Sequence, residues 1–174
     1  AVVFDIYGTL VISGSGDVGS ADTVGRDSFI RQTLGELGLR GKLVSVPNAD
    51  SLQQKIQQLN RERCDSNCPK PEIDIVEVWR QLLAEHGWLA SPSEIEQVVK
   101  VATKYEALAN PTWPMPAAAE VLRRLEQARF LLGIVSNAQI FTPRLISNLL
   151  GQTHLEEGGF DLDLCVFSNR YRQA

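Results

Sequence analysis

Cysteine is scarce and odd in number: Cys64, Cys68 and Cys165 are the three in 174 residues. They do not make a disulfide framework and agree with a reducing compartment, so a cytoplasmic protein is expected. No run approaches the roughly 18 apolar residues of a membrane-spanning helix, and the short apolar start carries no basic flank or cleavage signal. No membrane partner is expected. Basic residues are not in excess either. Lys and Arg number 17 against 21 Asp and Glu, and the net charge of -4 removes the electrostatic reason to expect nucleic acid. What the chain does have is 44% hydrophobic residues with 22% charged ones, enough to bury a core. Its length suits one domain, or a small core carrying an inserted subdomain.

Two motifs compete in the opening stretch AVVFDIYGTLVISGSGDVG. GSGDVG, residues 14–19, fits the G-x-G-x-x-G pattern in which glycines let backbone amides approach a pyrophosphate at a helix N-terminus. FDIYGTL, residues 4–10, places Asp5 at the end of a buried-strand pattern over residues 1–6, followed by a Gly8-Thr9 turn able to present backbone donors to an anion. The dinucleotide pattern needs its first glycine just past the strand, and Gly14 comes eight residues after Ile6. An acidic partner at the right distance is also wanting, since Glu36 falls inside a helical pattern. Residues 14–19 therefore read as a hinge, and the chemistry is assigned to the strand end, where open α/β sheets bind ligands.

Past the hinge the pattern is helical. Phe29, Ile30, Thr33, Leu34 and Leu37 mark one face, with Gly38 as the stop. Leu52, Ile56 and Leu59 mark a second helix. Ile75, Val76, Trp79, Leu82 and Leu83 mark a third that ends at His86-Gly87. The fourth starts at a capping box, Ser91 with Pro92 and Glu94, and carries Ile95, Val98, Val99, Ala102 and Leu108 inward. Three prolines in ALANPTWPMP, residues 107–116, end the helical run. A helix over residues 117–128, a continuous apolar strand in FLLGIVSN ending at Ser136 and Asn137, a helix over 141–150 and a strand over 162–167 follow. Alternating α and β elements thus bracket an all-helical middle, which reads as an insertion.

FDIYGTL, the inserted helices, WPMPAAAEVLRRL and GIVSN together resemble the haloacid dehalogenase-like hydrolase superfamily, in the group whose helical cap follows the first motif. The resemblance covers nearly the whole chain. It implies an α/β fold: a Rossmann-like parallel-sheet core over residues 1–15 and 110–174, with a four-helix cap over 16–109. It also implies a hydrolase acting on a small anionic substrate through a covalent aspartyl intermediate. Asp5 would be the nucleophile; an aspartate is already ionised at neutral pH and needs no base to activate it. Ser136 would hydrogen-bond the substrate anion, helped by amides of Ile6, Tyr7, Gly8 and Thr9, and Asn137 would orient a neighbour or the substrate. Read as ordinary structure, Asp5 is a turn-forming carboxylate and Ser136 and Asn137 are strand-to-loop residues.

Two departures from the resemblance matter. Where phosphatases of the superfamily carry a second aspartate, this chain has Tyr7, and a phenol is a poor base at neutral pH. A halide leaving group needs no such proton, and D-x-Y-G-T-L is the form seen in 2-haloacid dehalogenases. Dehalogenation without a cofactor is therefore placed ahead of a Mg2+-dependent phosphatase, in which Asp5 would also be a metal ligand. Arg26 and Arg31 lie where dehalogenases place a substrate-binding base, without a pattern that transfers the role. The second departure is that no motif-three lysine or acidic motif four appears before Ala174, so the sequence is expected to be part of a longer chain; an edge there would expose unpaired strand. A noncatalytic module of the same fold would also suit those absences. Cys64, Cys68, Cys165 and His86 lack the second ligand pair of a zinc site. Trp79, Trp88 and Trp113 are expected to pack in a core, and His154 to sit in a loop. A homodimer is the assembly left open.

Overall fold

The computed structural model describes residues 1–14, 25–64, 71–151 and 154–171. Gly14 apart, the GSGDVG stretch lies outside the described residues, as does Cys68. The chain divides into two compact units: residues 1–16 with 112–174, and residues 17–111.

The first unit is mixed α/β. Its parallel sheet has the order β1-β4-β5, from β1 (Val2–Phe4), β4 (Leu132–Ser136) and β5 (Phe160–Phe167). Parallel neighbours need crossovers, and the helices supply them: α5 (Ala118–Gln127) precedes β4, and α6 (Thr142–Leu149) joins β4 to β5. The amphipathic sequence of α5 turns Ala118 and Leu122 into the core against Leu132, Ile134, Phe160 and Phe167. At Gly133 the backbones of β4 and β5 lie close together. A β-carbon there would lie 2.5 Å from the Leu164 carbonyl oxygen. The β4–β5 register also shifts there, Leu132 pairing with Phe160 but Ile134 with Cys165, as expected where a strand bulges against a glycine.

Two short strands complete this unit. β2 (Val11–Ser13) pairs antiparallel with β3 (Thr112–Pro114), so the chain leaves the unit and returns to it side by side. Neither strand follows from the sequence pattern, because three residues are too few for a period to show. Trp113 corrects an expectation: it is exposed, next to Ile12, on the open face of this ribbon. The apolar strand in FLLGIVSN is also shorter than its hydrophobic run, because Arg129 takes a left-handed conformation and Phe130 and Leu131 are exposed before β4 begins.

The second unit is all-helical: α1 (Arg26–Glu36), α2 (Ala49–Arg63), α3 (Ile75–Glu85) and α4 (Ile95–Ala109). Helix α4 packs on α1 and α3, and α2 packs on α3. Each helical stripe is buried as its period requires, with Ile30, Leu34, Leu52, Leu59, Trp79, Leu82, Leu83, Val98 and Val101 in one core. Trp79 meets Tyr105 edge to face with ring centroids 5.2 Å apart, and Trp88 is buried beneath Lys42, whose Nζ lies 5.0 Å from the ring centroid. Side-chain caps set the helix starts. Asn48 and Ser51 exchange side-chain and backbone bonds at α2, Asp74 accepts from the Val76 and Glu77 amides at α3, and the Ser91–Glu94 box leads through a short 3-10 turn into α4.

Candidate functional site

Because β1, β4 and β5 run parallel, their C-terminal ends lie along one edge of the sheet, the edge where open α/β folds bind ligands. Asp5 is the residue after β1. Ser136 is the last residue of β4, and Ser168 is the first after β5. Phe4 pairs with Ile134 and Ser136 with Phe167, so Asp5 is level with Val135 and Ser168 with Asn137, and the three polar residues close three adjacent strands stepped by one residue from strand to strand. Asp5 is exposed and Ser136 is buried. The structure thus brings together Asp5 and Ser136, which are 131 positions apart in sequence.

The turn after Asp5 is tightly wound. The carbonyl of Ile6 accepts from the amides of Thr9 at 3.2 Å, Leu10 at 2.8 Å and Val11 at 3.0 Å. The Gly8 amide donates to the Val11 carbonyl at 2.8 Å. Gly8 has φ of 80°, in the left-handed region that favours glycine. The Gly8 and Thr9 amides, expected to face an anion, donate within the turn here. Ile6 is fully buried and anchors the turn, while Thr9 is exposed. Tyr7 is half-buried, and its hydroxyl lies 3.5 Å from Thr142 Oγ1, the outer limit for such a contact.

Past β4, Asn137 is exposed between two anchored neighbours. The Ser136 hydroxyl lies 3.5 Å from the Asn137 carbonyl, a weak engagement. Ala138 donates its amide to Ser168 Oγ at 2.9 Å, a bond buried from solvent. Gln139 donates its amide to Thr142 Oγ1 at 3.2 Å, and Thr142 donates its own amide to the Gln139 carbonyl at 3.0 Å. Thr142 and Ser168 are the two residues that sequence reasoning missed. Both had a signal available: Thr142 stands before Pro143 at a helix start, and Ser168 follows a buried strand.

No three of His, Cys, Asp and Glu come together among the described residues. Mg2+ is held by one or two carboxylates along with substrate phosphates. Asp5 would offer one such carboxylate at the end of β1, and no step is routed through a metal. Cys165 is buried in the first unit, its thiol 3.3 Å from the Asp161 carbonyl, whereas Cys64 is exposed in the second. His154 immediately precedes a short 3-10 turn over Leu155–Gly158 and is exposed. Arg26 opens α1, and Arg31 is exposed on it.

No helix among the described residues is long and apolar enough to cross a membrane. No protein-family model matches the chain, and no curated protein matches it. Similar solved structures exist at low identity. A predicted phosphoglycolate phosphatase from Haemophilus somnus is 18% identical with a TM-score of 0.38, covering 95% of this chain and 61% of its own. A protein assigned as a β-phosphoglucomutase from Thermotoga maritima is 16% identical with a TM-score of 0.44, covering 99% and 62%. A haloacid dehalogenase-like family hydrolase from Streptococcus pneumoniae is 16% identical with a TM-score of 0.32, covering 94% and 58%. The chain spans about three fifths of the length of the structures it is similar to. By their names, these similar structures are haloacid dehalogenase-like hydrolases, phosphatases and phosphomutases.

Proposed function

We propose that this chain carries the nucleophile of a haloacid dehalogenase-like hydrolase acting on a small anionic substrate. The observation that supports it is the position of Asp5 and Ser136 at the C-terminal ends of adjacent parallel strands. In this reading one Asp5 oxygen bonds to the substrate centre while the leaving group departs with the bonding electrons. Water then hydrolyses the resulting ester, which releases product with a proton and restores the carboxylate. Ser136 donates its hydroxyl to an anionic oxygen of the substrate, from a buried position where such a bond counts for more than in water.

Two bond types fit this scheme. Tyr7 favours a carbon–halogen bond, because it stands where a carboxylic acid would protonate an alkoxide leaving group and a halide asks for no proton. A phosphate ester, cleaved with Mg2+, is the reading that agrees with the names of the similar structures. One experiment tests both: chloride release from 2-chloropropionate without metal, and phosphate release from p-nitrophenyl phosphate with Mg2+, each with Asp5→Asn alongside. Turnover lost in Asp5→Asn supports the proposal and its substrate names the bond. Turnover that survives the substitution, or no turnover of either substrate, overturns it.

A further inference from the structure

We infer that Ser168 is a positioning residue that holds Asn137 and Ser136 at the reaction centre, an inference that rests on the function proposed above. Ser136 is tied on its own side by the pairing of β4 with β5. Asn137 is exposed and has no such tie in the ladder. What fixes the chain on its far side is the Ala138 amide, buried and donated to Ser168 Oγ at 2.9 Å. A buried amide without an acceptor is costly, so the loop keeps this conformation as long as the Ser168 oxygen is there. Gln139 and Thr142 close the following turn by two further bonds before α6 begins. The anchor comes from the end of β5, a strand that contributes neither Asp5 nor Ser136. Alignment of the β4 and β5 ends is thereby converted into placement of one exposed side chain.

Positioning of this kind acts on turnover more than on binding, since small misplacements of reacting groups cost up to about 100-fold in rate. In the full chain, with whichever of the two probe substrates is turned over, Ser168→Ala is expected to lower kcat by about 10- to 100-fold with KM changed little. Ser168→Thr, which keeps the oxygen, is expected to restore most of kcat. Hydrogen exchange at the Ala138 amide should quicken in Ser168→Ala relative to neighbouring core amides. Where Ser168→Ala does not fold, Ser168→Cys fills the same space with a weaker acceptor and should fall between Ser and Ala in kcat. An unchanged kcat in the alanine or cysteine variant, or loss in the threonine variant equal to that in alanine, overturns the inference. Those outcomes with Asp5→Asn still inactive leave the hydrolase proposal standing. Absence of any turnover in the unaltered protein overturns both.

Discussion

The two units bury different things. In the helical unit the core is nearly all hydrocarbon and aromatic, and the buried polar side chains are Thr33 and Lys55. Among the described residues of the α/β unit four hydroxyls are buried, those of Ser136, Thr142, Ser147 and Ser168, while Val3, Val135, Leu162 and Val166 on the sheet are exposed. Burying a hydroxyl costs free energy unless it is hydrogen-bonded. Ser168 and Thr142 accept backbone amides, and Ser147 donates to the Pro143 carbonyl at 3.1 Å. In the helical unit Thr33 Oγ1 and Trp79 Nε1 are buried with no partner among the described residues. Of these hydroxyls, those of Ser136 and Ser168 lie at strand ends, whereas the helical unit draws mainly on apolar packing.

The largest effect should separate the units by function. Asp5→Asn is expected to reduce hydrolysis to background, a loss on the order of a million-fold as for other deleted nucleophiles. The unfolding midpoint should stay the same, because Asp5 is exposed. A steady-state rate and a melting curve on the same preparation check this. Retained activity would break the assignment of chemistry to the α/β unit.

The next effect probes packing. Trp79→Ala removes the largest fully buried side chain and its edge-to-face contact with Tyr105, and should cost about 3–5 kcal/mol in the helical unit. Urea unfolding followed separately in each unit measures it. A loss under 1 kcal/mol would mean that this core is not close-packed around Trp79. In the α/β unit the corresponding probe is Gly133→Ala. Its β-carbon would meet backbone, and the strands would have to part. The expected cost is about 1–3 kcal/mol, with activity lowered if the register of β4 against β5 places Ser136. An equal cost with unaltered activity would uncouple the register from the site.

The smallest effects are titrations in the helical unit, and they have opposite signs. Burial raises the Glu106 carboxyl above its ordinary range, against an accepted hydrogen bond from Asn110 and the field of Arg26. A raised carboxyl makes the folded chain bind its proton more readily than the unfolded one. Stability attributable to it therefore falls as pH rises from the ordinary carboxylate range. Glu106→Gln should raise the melting temperature at pH 7, and the gain should disappear near pH 4. Glu94 is the reverse case, lowered to about 2 by hydrogen bonds from Lys42 and Ser91. Its contribution is present above the ordinary carboxylate range and lost as pH falls through about 2. Melting curves between pH 2 and 7 for both glutamine variants read the two signs, and a gain for Glu106→Gln that persists at pH 4 would contradict the first.

How much was legible in the sequence differs between the units for a physical reason. The helices could be located from apolar spacing alone, since a period of 3.6 repeats several times within each of them; most marked residues pack in or against the core, whereas Val99 and Leu108 do not and Val78, Val101 and Tyr105 are core residues the pattern did not mark. The Ser91–Glu94 box fell where its local chemistry said it would, because a cap is a contact between residues three apart. β2 and β3 were not legible: three residues carry no period, and each strand exists only through its partner. The candidate site was half legible. Asp5, Ser136 and Asn137 stand out as polar residues that end apolar runs, but nothing local says that Ser168 will accept the Ala138 amide or that Thr142 will approach Tyr7.

Local periodicity and capping by themselves determined the helices of this protein, the apolar strand runs and their order along the chain. Strand order, the register that sets Asp5, Ser136 and Ser168 at adjacent strand ends, the close approach at Gly133 and the exposure of Trp113 were decided only by tertiary structure. These depend on contacts between segments far apart in the chain. Such contacts are selected by the free energy of the whole fold and leave no repeating mark on any one segment.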